Sequence, residues 1–193
     1  MSYHRALVLA TTLASAVAFG IAAPAAETYT VDPVHSWVVY RVKHMDVASS
    51  FGLFKDVSGS FTVDEAAPEN STFAFSVKVD SIDSANPKRD EHLKSPDFFN
   101  AKQFPTISFK STKVVKSPNG GYDVVGVLSM HGVEKPAAIK IAEIPRIKGP
   151  LGGHVAGFDT ELKIKRSDFG MGSSVPGIGD EVTLMMGIEG KAK

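Results

Sequence analysis

With 193 residues, 43% of them hydrophobic, and 21 acidic side chains against 21 basic ones, the chain has the composition of one globular domain with a true core. The balanced charge excludes a broad basic face for nucleic acid and a strongly anionic surface. The absence of cysteine excludes disulfides, thiolate metal sites, cysteine-linked haem and thiol nucleophiles.

The chain opens on a processing segment. Arg5 precedes an apolar, Ala-rich run over residues 6–23, and Ala23-Pro24-Ala25 supplies small residues before a cut. Residues 1–25 are expected to be a secretory signal peptide, with the mature chain starting at Ala26 or Glu27. The run lacks the Leu content and basic flank of a membrane anchor, and no later stretch is apolar enough to span a bilayer. Residues 26–193 are expected to form a single domain in the periplasm.

Residues 36–44 alternate as a strand does, with Val38, Tyr40 and Val42 on one face and Trp37, Arg41 and Lys43 on the other. Trp37 on the wetter face reads either as packing or as a subunit contact. Residues 45–57 carry Gly, Ser and Phe without a clear period and read as a loop or short turn. Gly59, Phe61 and Val63 begin the next alternation. A polar turn with Pro68 leads to the cleanest strand, where Phe73, Phe75 and Val77 face inward against Ala74, Ser76 and Lys78.

The pattern then breaks. Asn86-Pro87 is a helix start, with Asn as cap and Pro in the first turn, and Ser95-Pro96 repeats that signal. Two short helical turns are expected, carrying Arg89, Asp90 and His92 beside Leu93, Phe98 and Phe99. Alternation resumes with Ile107 and Phe109. Asn119-Gly120 marks a hairpin, and Tyr122, Val124, Gly126, Leu128 and Met130 form the next inward set. His131-Gly132 makes a tight connection into residues 133–141, where Pro136 marks an edge or bulge. Residues 144–153 read as a loop. Phe158, Leu162 and Ile164 face inward on the next strand, residues 169–179 read as a loop, and Val182, Leu184 and Met186 close the chain. About eight strands with almost no helix suggest a sandwich or an up-and-down barrel, its interior filled or hollow.

Catalytic motifs are absent: there is no Gly-x-Ser-x-Gly elbow, no His-Glu-x-x-His and no phosphate loop. His35, His44, His92, His131 and His154 are scattered without metal-ligand spacing, so no metal is expected. Arg89, Asp90 and His92 read as an acid–base set or as a hydrogen-bonded lid. Asp32, His35 and Ser36 read as a strand-start cluster rather than a triad. Arg166 shares the inward parity of Leu162 and Ile164 and needs a partner if buried: Asp90, Asp180 or a ligand head.

Arg89-Asp90-x-His92-Leu93, then Asp97-Phe98-Phe99, then Phe104-Pro105-x-Ile107-x-Phe109, resembles the signature of the YceI-like family. Further landmarks stand in the same order: Asp32-x-x-His35-Ser36, Gly52-x-Phe54, Gly59-x-Phe61, Gly126-x-Leu128, Gly132-Val133-x-Lys135-Pro136, Arg166-Ser167-Asp168-Phe169-Gly170 and Gly179-Asp180-Glu181-Val182. The resemblance implies an all-β fold: an extended eight-stranded antiparallel lipocalin-like β-barrel with a short helical insert near residues 86–100. It implies that the interior binds an isoprenoid lipid, either a polyisoprenoid or an isoprenoid quinone, with no catalysis, cofactor or metal, and that the protein is a homodimer. On that reading Val38, Tyr40, Val42, Phe61, Phe73, Phe75, Val77, Phe109, Leu128, Phe158, Leu162, Leu184 and Met186 line the ligand's tail. Leu93, Phe98, Phe99 and Phe169 join them, and Arg89 and His92 meet its polar head. The competing expectation is a small periplasmic hydrolase or redox enzyme using Arg89, Asp90 and His92.

Overall fold

The computed structural model describes residues 26–150 and 152–192; the expected signal peptide lies outside them. The fold is all-β, as expected, with one α-helix among the described residues. The strands are β1 (Glu27–Val31), β2 (Trp37–His44), β3 (Ala48–Phe54), β4 (Val57–Val63), β5 (Thr72–Lys78) and β6 (Ile82–Asp83). Helix α1 (Pro87–Lys94) follows, then β7 (Thr106–Lys116), β8 (Tyr122–Met130), β9 (Val133–Ile141), β10 (Arg146–Lys148), β11 (His154–Lys165) and β12 (Ile178–Lys191).

These segments make eight long strands, because three are each broken once by a bend. β1 turns into β2 at residues 32–36, β3 into β4 at Lys55 and Asp56, and β5 into β6 at the 3-10 turn Val79–Ser81. β10 is a short addition beside β11. The bends sit at one level and are bonded to each other: Lys55 N–H donates to the Ser81 carbonyl at 3.3 Å, and Lys78 N–H to the Asp56 carbonyl at 3.1 Å. All neighbours are antiparallel, and the ladder runs unbroken from β11 through β12 and round to β9. The remaining seam, between β9 and β11, carries no ladder among the described residues. There the Thr160 hydroxyl donates to the Lys140 carbonyl at 2.8 Å.

β12 does not bend and serves both β1 and β2. Its Gly187 faces Trp37 and its Gly190 faces Val31, so five residues of the bend lie against two of β12. Asp32 and Ser36 stitch this mismatch. Asp32 N–H and the Ser36 hydroxyl both donate to the Glu189 carbonyl, at 2.8 and 3.1 Å, and Glu189 N–H returns a bond to Ser36 Oγ at 3.0 Å. The Asp32 carboxylate accepts from Lys191, His35 and the Val34 N–H. The Lys191 bond, then those of His35 and Val34, hold it well below the usual carboxylate range. The cluster is thus a strand junction, as the residues suggest. Trp37 packs its edge on Gly187 of the outer face, where a β-carbon would fall 2.6 Å from the ring.

Below the bends the barrel is filled. Tyr29 stacks on Phe61 with centroids 4.9 Å apart, Phe61 on Phe73 at 6.2 Å, and Phe158 meets both edge-on. Phe61 and Phe73 are fully enclosed, which stabilises the fold by roughly 1.5–3 kcal/mol each. At that end the Tyr29 hydroxyl donates to Glu27, which also holds His154 and Arg146. Burial, then the bond to Glu27, pushes the Tyr29 phenol up to about 12.

Three expectations need correction. Residues 45–57, read as a loop, contain β3, because two of its inward positions, Ser50 and Gly52, precede the third, Phe54, while Phe51 points out and is half exposed. The usual strand pattern is inverted there. Ser95-Pro96 starts no second helix; Phe98 and Asn100 N–H both return to the Ser95 carbonyl in tight turns, with Asn100 at φ 47°. The stretch 144–153 is not all loop, since β10 pairs with β11.

Candidate functional site

Above the bends the barrel is hollow. A cavity of about 330 Å³ lies between β2, β3, the end of β5, β12, α1 with its following turns, and the loop that leads into β12. A smaller one of about 60 Å³ lies beside it. Both are walled by Val38, Val77, Ile107 and Leu184, so they are adjacent upper and lower chambers with these side chains as the waist between them.

Inward parity places Val38, Tyr40 and Val42 of β2, Val77 of β5 and Leu184 of β12 on the upper chamber. The insert supplies the rest of the expected set: Arg89, His92, Leu93, Phe98 and Phe99. α1 begins where Asn86 accepts from the Arg89 N–H at 3.0 Å with Pro87 in the first turn, which aims Arg89 and His92 along the mouth. Phe99 stands edge-on to Phe54 with centroids 5.7 Å apart, and Phe98 edge-on to His92 at 4.9 Å. Phe75, Phe109, Leu128, Phe158, Leu162 and Met186 line the lower chamber.

Three residues expected to touch a ligand lie on neither chamber. Phe61 and Phe73 are spent in the aromatic plug. Phe169 is buried in the 3-10 turn Arg166–Phe169, where its carbonyl accepts from His131 Nδ1 at 2.9 Å. Conversely, the expected set omitted Phe54, Met130 and Met171. Met130 stood on an inward parity; Phe54 was hidden in the stretch read as a loop, and Met171 has no period to betray it.

Arg166 also faces the upper chamber and is 5% exposed. Its partners are main-chain carbonyls of the loop into β12, Met171 and Ser173 (the latter at 2.8 Å), and of the first two residues of β12, Ile178 at 2.8 Å and Gly179 at 2.9 Å. Of the two expected carboxylates, Asp90 accepts from Ser84, and Asp180 accepts from the Ser167 N–H at 2.9 Å and hydroxyl at 2.8 Å. Burial pushes the Arg166 guanidinium down from its ordinary value, and only the charge of Asp180 opposes this.

The Arg89, Asp90 and His92 side chains do not converge as acid and base. Arg89 and Asp90 both bond Ser84, while His92 Nε2 lies 3.2 Å from Asp97. On the outer face, Asp32, His35 and Glu189 bring potential metal-ligand atoms within 4.8 Å of one another, but the Lys191 ammonium sits 2.7 Å from Asp32 and supplies the positive charge there. No helix among the described residues is long and apolar enough to cross a membrane.

Comparison with known proteins agrees with this architecture. Residues 29–190 match the model of the YceI-like domain. A UPF0312 protein of Azotobacter vinelandii is 36% identical over 86% of this chain and 87% of its own length. Protein YceI of Salmonella newport is 35% identical over 95% of this chain and 96% of its own. Among solved structures, Burkholderia cenocepacia BcnA superposes with a TM-score of 0.74 at 25% identity, covering 82% of this chain and 98% of that one. A polyisoprenoid binding domain from Saccharophagus degradans shares the fold at a TM-score of 0.63 and 12% identity, covering 86% of this chain and 98% of that one. The chain belongs to the YceI-like family.

Proposed function

We propose that this chain binds an amphipathic isoprenoid lipid, a polyisoprenoid or an isoprenoid quinone, and sequesters or carries it without chemical change. The observation that carries the reading is the upper chamber: apolar walls, with polar groups such as Arg89, His92 and Ser174 at the end formed by α1 and the loop into β12. A pocket of this kind takes an apolar body and orients it by few polar contacts. That the Saccharophagus degradans domain is described as polyisoprenoid binding agrees with this. An enzyme reading finds no support in the arrangement of these three side chains, because Arg89 and Asp90 meet at Ser84 while His92 is turned away to Asp97.

The chamber bounds the tail. An apolar cavity of about 150 Å³ holds one benzene, so about 330 Å³ accepts on the order of a dozen carbons. A longer tail runs on through the waist into the lower chamber by rotation of the side chains there. Each buried heavy atom adds about 0.3 kcal/mol, so tight binding comes from length and needs no metal or covalent bond.

The leader-like residues 1–25 support a periplasmic location for this work, and mature protein beginning at Ala26 or Glu27 is the expected N-terminus. A homodimer is the proposed assembly, to be checked by sedimentation. Titration with decylubiquinone tests the function. Saturable uptake with the quinone recovered unchanged supports the reading; no uptake, or turnover of a p-nitrophenyl ester by the protein, overturns it.

A further inference from the structure

Tyr40 is the one tyrosine on the upper chamber. It is 8% exposed. Buried tyrosine hydroxyls ordinarily find a hydrogen-bond partner, yet this one has none among the described residues; burial and the charges of Arg89 and Asp90 are what act on it. The oxygen is not sealed in protein, because Asp123 Oδ1 is the sole fully enclosed side-chain polar atom without a partner among the described residues. Tyr40 lines the upper chamber, which is the space open to a donor on this side chain.

The phenol is also held in place. Tyr40 pairs directly with Gly52 of β3. A β-carbon at position 52 would overlap Cε1, Cζ and Oη of the Tyr40 ring, so the ring lies against the bare backbone there. Above it stands the first turn of α1. Arg89 gives its Nε to Ser84 Oγ at 2.8 Å and its Nη2 to the Ser84 carbonyl, while Nη1 has no partner among the described residues. A fixed hydroxyl donor and a guanidinium thus lie at the edge of a mostly apolar space, whose other polar lining residues are His44, Ser50, His92, Arg166 and Ser174.

We infer that the Tyr40 hydroxyl is the specificity-determining donor of this chamber, selecting lipids whose head carries an acceptor oxygen (a carbonyl, ether or hydroxyl) over plain hydrocarbons, with Arg89 as the second donor. This rests on the lipid-binding reading above and adds the chemistry of the head. The physical reason is the cost of leaving a buried donor unpaired: a hydrocarbon in the chamber strips water from the phenol and gives nothing back.

Farnesol and farnesene, matched in carbon number, test it by displacement of a fluorescent apolar dye from wild type and from Tyr40→Phe, with thermal unfolding of both proteins. Wild type should hold farnesol about tenfold more tightly than farnesene. Tyr40→Phe should bring the two within about twofold, by weakening farnesol and not farnesene, with the melting temperature little changed. A preference that survives the substitution, equal loss of both ligands, or equal affinity of wild type for both, overturns the role of Tyr40 and leaves lipid binding standing. Uptake of neither ligand by wild type overturns both.

Discussion

Ser173 donates its hydroxyl to the carbonyl of Asp97 at 2.9 Å. The two residues belong to opposite walls of the mouth. Ser173 lies in the loop between β11 and β12, which lines the upper chamber through Met171 and Ser174; Asp97 lies in the turns after α1, which line it through Phe98 and Phe99. A neutral bond of this kind is worth about 1 kcal/mol. Ser173→Ala should therefore release a bound lipid probe about fivefold faster, with a melting temperature lowered by no more than about 4 °C. Stopped-flow dissociation reads the rate. An unchanged rate means that the walls part elsewhere.

Leu184 stands at the waist, on both chambers. Truncating it opens the passage that a long tail must take. Leu184→Ala should lower stability by about 2 kcal/mol, the low end for a core leucine because the side chain already borders empty space. It should also raise affinity for twenty-carbon isoprenoid alcohols relative to ten-carbon ones. Calorimetric titration of the two alcohols measures the ratio, and a ratio equal to wild type would show that the waist does not limit tail length.

Arg166 ties the loop to the start of β12 by donating to two carbonyls of each. Arg166→Met keeps the apolar stem but leaves those acceptors without donors, a loss of about 3 kcal/mol. Limited proteolysis should then cut within residues 171–177 while β11 and β12 stay intact. Equal resistance of variant and wild type would mean that the loop is held by its other contacts.

Asp32 links stability to pH. Its folded carboxyl lies well below the usual range, first through Lys191 and then through His35 and Val34. A depressed carboxylate contributes in full above about pH 4, the unfolded value, and the contribution fades as pH falls from there toward the folded one. Asp32→Asn should cost about 2 kcal/mol near neutrality, or roughly 4–8 °C for a chain of this length. The deficit should shrink between about pH 4 and pH 3. Melting curves of both proteins across that range decide it; a constant deficit would assign Asp32 a role of shape rather than charge.

The parts of the fold that were legible are those whose inward residues are large. β5, with Phe73, Phe75 and Val77, and β12, with Val182, Leu184 and Met186, announce their faces by alternation. β3 did not, and the reason is the site itself. Gly52 must lack a side chain because the Tyr40 ring occupies that space, so the contact that shapes the chamber erased the pattern that would have revealed the strand. Arg166 was legible as inward-facing but its partners were not, because main-chain carbonyls of a loop leave no trace in side-chain identity. Parity also could not separate plug from lining. Phe73 and Phe75 share a face of one strand, yet Phe73 is sealed in the aromatic stack and Phe75 borders the lower chamber.

The central claim is that the upper chamber holds an isoprenoid lipid. Organic extraction of natively purified protein, followed by mass spectrometry, tests it most directly. The account predicts an oxygen-headed isoprenoid, in amounts approaching one per chain, that is lost from a variant whose mouth and chamber walls are breached by Phe99→Asp. A protein that yields no lipid when purified from its native host, and takes up no isoprenoid afterwards, would contradict it.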